Sequence, residues 1–328
     1  MWRYQRPCVV DRCSPGVRRE PRYRHTFLMR ASLKATAELL LTRGGVATFA
    51  RALHRRDAMV LAYHNVRPDD VPPLGDRSLH LSRADFAEQL DLVAETHDVV
   101  PLDSLRTPDL TARKRPRVAI TFDDAYAGAL TVGVEELAKR AMPATFFVAP
   151  HFLGGRSFWW DAFAEADDGL PVEVREHSLG RLCGRDDAVR QWIRESGRRE
   201  VSLPVAARCG TVDELRSAVA SGMTVASHSW SHANLASLSE ADVRDELERS
   251  QRWLTDNIGA TVPWIAYPYG LASPMVERVA ASLGFHAGLL TEGGWVRSRR
   301  GDEFSLARLT IPAGVTEAGF VLRAAGVV

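Results

Sequence analysis

The sequence predicts an α/β protein: an irregular (β/α) barrel of about seven or eight mainly parallel strands. Three observations predict it. From about Ala58 onward, short β-rich runs alternate with helical stretches, the signature of βα units. The polar residues of chemical interest follow four of those runs, as they must if parallel strands converge on one mouth at their C-terminal ends. With 328 residues and 45% hydrophobic content, the chain is long and apolar enough for one large α/β domain.

Residues 1–56 are expected to form a basic extension and linker helix, and 57–328 the barrel. Residues 1–30 hold eight Arg against Asp11 and Glu20, about +6, so a formal net charge of +1 leaves the remainder near −5. Pro7, Pro15, Gly16 and Pro21, with no sustained periodicity, predict a disordered tail to about Leu28. Basic charge confined to that tail gives no expectation of a nucleic-acid partner. Between Ala35 and Leu53, Leu39, Leu40, Leu41, Val46, Phe49 and Leu53 alternate with basic residues. Packing against the domain is the expected use of this segment, peripheral membrane association the alternative, and Gly44-Gly45 interrupts any continuous helix. There is no run of 18 apolar residues and no signal-peptide h-region, so no transmembrane segment and a cytoplasmic location are expected. Cys8, Cys13, Cys183 and Cys209 lack CxxC spacing, which fits a reducing compartment and argues against cysteine ligands.

The expected strands are Met59–Tyr63, Asp98–Leu102, Arg117–Phe122, Ala144–Ala149, Met223–Ala226, Pro263–Tyr267, Ala287–Thr291 and Leu306–Ile311. Ser82-Arg83-Ala84-Asp85 and Ser239-Glu240-Ala241-Asp242 read as capping boxes with Asp replacing the usual Glu or Gln. The second opens a helix carrying Val243, Leu247 and Leu254 on one stripe. Phe158-Trp159-Trp160-Asp161 offers either a sugar-stacking surface or core packing, with Asp161 as a helix cap. Residues 162–222 exceed a compact barrel connection and read as an insertion with helical stretches around Asp187–Glu195 and Thr211–Ala220. His151 reads as a loop residue, while His80, His97, His177 and His286 have no partner spacing.

Thr121-Phe122-Asp123-Asp124 and His228-Ser229-Trp230-Ser231-His232 carry the chemistry. Histidines at i and i+4 share a face if the segment is a helical turn, and Asp124 then completes a His-His-Asp set for a zinc-type divalent ion. Asp123 remains free beside that ion, placed to take a proton from water. The alternative is that the Asp pair caps a helix and the histidines lie on the surface.

These two motifs resemble those of the polysaccharide deacetylase family, also called NodB-like or carbohydrate esterase family four, over roughly Ala58 to Pro312. The resemblance implies Asp123 as catalytic base and Asp124, His228 and His232 as metal ligands. Tyr267-Pro268-Tyr269-Gly270 is similar to a third family motif, which implies that the Tyr269 backbone amide helps stabilise the oxyanion. Many relatives carry a base-orienting Arg where Ala266 stands here, and Arg308 is the candidate replacement, its alternative an ordinary surface or ion-pair arginine. Leu309-Thr310-Ile311-Pro312-Ala313 lacks the family's C-terminal His, but Ala62-Tyr63-His64-Asn65 resembles the early Tyr-His element of a permuted branch. That implies His64 as the acid. The implied substrate is an N-acetylglucosamine-type glycan or glycoconjugate, and the implied cofactor a divalent metal such as Zn²⁺. An amidohydrolase acting on a non-sugar amide, or a non-catalytic glycan-binding protein of the same fold, are the competing readings.

Overall fold

The computed structural model describes residues 36–106, 114–165, 169–259, 261–291, 293–296 and 303–327. The expectation of a disordered tail, and Cys8 and Cys13, lie outside the described residues. The strands are β1 (Ala58–Tyr63), β2 (Asn65–Arg67), β3 (His80–Ser82), β4 (Asp98–Val99), β5 (Arg117–Phe122) and β6 (Ala144–Val148). They continue with β7 (Thr224–Ser227), β8 (Thr261–Ala266), β9 (Ala287–Leu289), β10 (Trp295–Val296) and β11 (Leu309–Thr310).

A mainly parallel, curled sheet runs in the order β10-β1-β5-β6-β7-β8-β9 and forms an irregular (β/α) barrel. β1 and β5 pair along their full length, from Ala58 opposite Arg117 to Tyr63 opposite Phe122, so the residues that follow each strand emerge side by side. Closure is irregular. A parallel bridge joins Leu289 to Leu306, and a few residues later Leu309 and Thr310 pair with Leu61 and Ala62. The last segment of the chain thereby links β9 back to β1.

Strands buried on both faces explain why these runs are continuously apolar. Alternate residues serve different cores. Met59, Leu61, Phe122 and Phe146 face the helix layer with Phe86 and Leu90, whereas Val60, Ala119, Phe147, Ala226 and Trp264 fill the barrel interior. Helix Arg83–Thr96 begins where the Ser82 side chain accepts from the Asp85 amide, and helix Glu240–Asn257 where Ser239 accepts from the Asp242 amide. A full reciprocal capping box, not foreseen, joins Thr211 to Glu214 at helix Val212–Ala220.

The structure departs from the expected elements at the short strands. Asp98–Leu102 reduces to the two residues of β4, paired with the first two residues of β5, and Leu306–Ile311 to β11 and the Leu306 bridge. The small β2–β3 sheet and β10 were not expected, because two- and three-residue strands leave no period in a sequence. The segment around 36–53 is helical on both sides of a break at Gly45, which has a φ of 77°. It packs through Ala47 against Leu322 and Ala325 and through the Glu38 carboxylate, which accepts from the Thr316 hydroxyl. Packing is therefore confined to its inner face, since Leu40, Phe49 and Leu53 remain 66–67% exposed. Among the described residues no helix is long and apolar enough to cross a membrane.

Candidate active site

At the C-terminal end of β5 the backbone turns left-handed at Asp124 (φ 71°) and Ala125 (φ 51°). Such conformations cost about 1–3 kcal/mol each outside glycine and persist where the surroundings enforce them. Here the Tyr63 carbonyl accepts from the Asp123 amide at 2.9 Å, and the Gly210 amide donates to the Ala125 carbonyl at 2.8 Å. Both carboxylates point into the mouth and are buried. The alternative in which this pair caps a helix does not hold.

His228 and His232 follow β7, but the segment is not a helical turn. Ser229 (φ 60°) and His232 (φ 57°) are left-handed, and the two rings meet at 4.7 Å between centroids through a folded loop. Glu246, on helix Glu240–Asn257, shapes that loop by accepting from the Trp230 and Ser231 amides at 3.0 and 2.8 Å and from the Ser231 hydroxyl. Nothing in the sequence signals this role beyond the place of Glu246 beside the buried stripe of its helix. The histidines belong to the interior, not the surface: both are buried.

One ligand atom from each of Asp124, His228 and His232 lies within 4.8 Å of the others. His232 Nε2 is 3.2 Å and His228 Nε2 3.6 Å from Asp124 Oδ1, an oxygen with no hydrogen-bond partner. His228 donates Nδ1–H to the Ala266 carbonyl at 2.7 Å, which leaves its Nε2 as a bare lone pair facing that oxygen. Burial holds His228 down to about 4, against the upward pull of Asp123, so it is neutral at pH 7. Two imidazoles and a carboxylate whose ligand atoms converge in this way suit a cation. Asp124, His228 and His232 could therefore hold a metal ion.

Asp123 has different partners. Arg308, wholly buried just before β11, donates from both terminal nitrogens to the two Asp123 oxygens at 2.7 Å each, and from Nε to the Leu290 carbonyl at 2.9 Å. The surface alternative for Arg308 is excluded by its burial. Burial alone would raise the Asp123 carboxyl, but Arg308 and then His228 hold it well below the usual carboxylate range. Asp124 is lowered as well, burial again opposing and His232 prevailing.

His64 joins β1 to β2 beside this pair, half-buried, and its charge bears on both Asp123 and Asp124. Tyr269 follows β8 in a left-handed conformation (φ 60°), and the next residue must be glycine: a Cβ on Gly270 would lie 1.9 Å from Thr291 Oγ1. The Tyr269 ring packs edge-on against His232 at 4.6 Å. His151 sits outside this group, its Nε2 accepting from Arg156 at 3.0 Å.

Trp159 and Trp160 are buried, so the aromatic run packs inward and is not an exposed sugar platform. Asp161 is not a cap. It lies inside helix Trp159–Ala162 and accepts from the Asp76 amide, His80 Nε2 and the Tyr126 hydroxyl. His80, which showed no partner spacing, thus has one 81 residues away.

The sequence profile of the polysaccharide deacetylase family matches residues 111–288, more than half of the chain and a span that contains both motifs. The chain belongs to the polysaccharide deacetylase family. His64 lies upstream of the matched span and Arg308 beyond it. The polysaccharide deacetylase fold is shared with the Streptococcus pyogenes deacetylase PplD, solved in complex with acetate, at 19% identity over 82% of this chain and 98% of that one, TM-score 0.57. IcaB from Ammonifex degensii is 20% identical over 83% and 97% of the two chains, with a TM-score of 0.57. The de-N-acetylase from Aggregatibacter actinomycetemcomitans is 18% identical over 80% and 97%, with a TM-score of 0.55.

Proposed function

We propose that this polysaccharide deacetylase is a metal-dependent hydrolase that removes N-acetyl groups from an N-acetylglucosamine-type glycan or glycoconjugate, giving acetate and a free amino sugar. The observation that carries the reading is the division of labour between adjacent buried carboxylates: Asp124 faces two imidazole nitrogens, while Asp123 is gripped by Arg308. Asp123 is a weak base in that grip, too weak for bulk water, so its partner must be water made more acidic. Asp124, His228 and His232 would hold a divalent ion, which when bound would supply that acidity and Lewis-acid polarisation of the acyl carbonyl.

Arg308 fixes the plane of the Asp123 carboxylate, so the oxygen that receives the proton is already oriented when water attacks. The Tyr269 backbone amide serves the developing oxyanion, in the role that the left-handed Pro268-Tyr269-Gly270 turn supports. His64 gives a proton to the departing amine nitrogen. The free thiols of Cys183 and Cys209 support a reducing, cytoplasmic setting for this activity.

The test is acetate release from N-acetylglucosamine oligomers by protein reconstituted with Zn²⁺, together with metal content. About one ion per chain is expected, lost in His232→Ala because two ligands do not replace three. Release from non-sugar amides alone would move the substrate away from glycans, and no release from any amide, with the ion bound, would leave a glycan-binding protein.

His64 has its own test. His64→Ala should lower kcat on the amide by about 10²–10⁴-fold and leave the ion in place. The loss should shrink on an activated phenyl acetate, whose leaving group needs no proton. Equal losses on both substrates would make His64 structural.

A further inference from the structure

Behind the site lies a buried chain of hydrogen bonds whose every proton can be assigned. Asn65 Nδ2 donates one hydrogen to the Ala206 carbonyl at 2.8 Å and the other to His80 Nδ1 at 2.9 Å. His80 must then carry its proton on Nε2, which donates to Asp161 Oδ1 at 3.0 Å. The Asp76 amide donates to the same oxygen at 2.8 Å. The Tyr126 hydroxyl donates to Asp161 Oδ2 at 2.5 Å and accepts from Trp160 Nε1 at 3.1 Å. Three donors converge on one carboxylate that is wholly buried, and that carboxylate is the acceptor on which the chain of donors ends.

The two ends of this network that reach the site are specific. Tyr126 stands two residues after Asp124, at the far side of the left-handed turn that aims the Asp124 carboxylate. The Trp160 ring lies against the His232 imidazole, 4.8 Å between centroids. His232 needs such a wall, because its Nδ1 is buried without a hydrogen-bond partner to fix the ring. A metal-ligating histidine is ordinarily oriented by a hydrogen bond from its second nitrogen, as the Ala266 carbonyl does for His228. For His232 the ring contact takes that place.

Resting on the metal-binding reading above, we infer that Asp161 is a positioning residue: through Tyr126 and Trp160 it sets the metal-binding geometry of Asp124 and His232. It touches neither ligand. A neutral side chain of the same shape would fill its space, but it would present donors to donors and release the Tyr126 hydroxyl.

The experiment uses the full chain, stripped of metal and titrated with Zn²⁺ and Co²⁺. Asp161→Asn and Tyr126→Phe should each weaken Zn²⁺ binding, by about 10-fold for Asp161→Asn, the low end of what a group bonded directly to a ligand is worth, because Asp161 acts one contact further away. Both should also change the visible absorption of the Co²⁺ form, which reports coordination geometry and is indifferent to a purely global loss of stability. Thermal unfolding of the metal-free proteins identifies any variant that does not fold. If Asp161→Asn is one, Tyr126→Phe, which deletes a single oxygen, decides the matter. Folded variants with Zn²⁺ affinity within about twofold of wild type and an unchanged Co²⁺ spectrum would overturn the inference, since positioning of two ligands is worth more than that. Wild-type protein that takes up neither ion would overturn the metal reading itself; tight wild-type binding with indifferent variants would remove Asp161 alone.

Discussion

Arg308→Met should lower the free energy of unfolding by about 3–5 kcal/mol, the cost of leaving one member of a buried ion pair alone. The guanidinium and the carboxylate it grips are 0% and 4% exposed, so water does not replace the lost partner. Methionine fills similar volume, which keeps cavity formation out of the measurement. Denaturant unfolding followed by tryptophan fluorescence reads the loss, and a second substitution tests its cause. Asp123→Asn added to Arg308→Met removes the orphaned charge and should restore part of the stability, giving a clear coupling energy. A loss no larger than the roughly ±0.5 kcal/mol of an ordinary surface change would mean that the pair carries no stability.

Asp123→Asn alone should abolish most turnover, with kcat down by about 10²–10⁴-fold or more, while the protein still takes up its ion. The amide cannot accept the proton, and Asp123 is not among the three residues placed as ligands. Because this substitution leaves Arg308 buried without its partner, it also destabilises the fold, so turnover must be normalised to folded, ion-loaded protein. Loss of the ion with Asp123→Asn would show that the roles within the Asp123-Asp124 pair are reversed, and near-normal turnover would show that Asp123 is not the base.

Much of the barrel was legible because buried parallel strands write themselves as uninterrupted β-branched and aromatic runs, and Arg117–Phe122 appears in the structure with the bounds expected of it. The residues gathered at the mouth were legible because each follows such a run. What failed was local backbone shape. The i, i+4 spacing of His228 and His232 suggested a helical turn, yet the loop owes its shape to two left-handed residues and to Glu246 from a later helix, none of which the spacing encodes. Asp161 looked like a cap because aspartate is a preferred N-cap residue. Its actual partners, His80 and Tyr126, come from segments 81 and 35 residues away, and no local rule joins them. Arg308 could be suspected from the resemblance, but its full burial follows from the irregular closure near Leu306, which leaves no periodic trace.

That closure also fixes a timetable. Asp123 and the arginine that orients it are 185 residues apart, and the segment bearing Arg308 docks on β1, the first strand of the barrel, only after every intervening strand has been made. During synthesis the carboxylate pair and the histidine loop emerge well before the last strand. Until it arrives, the Leu61–Ala62 part of the β1 edge stays unpaired and Asp123 lacks the counter-charge of Arg308. Non-local pairing of this kind slows folding and prolongs the exposure of strand edges. A ribosome-bound or truncated chain ending before residue 303 would thus possess Asp124, His228 and His232 and lack the arginine that grips Asp123, so on the proposed mechanism it would be inactive.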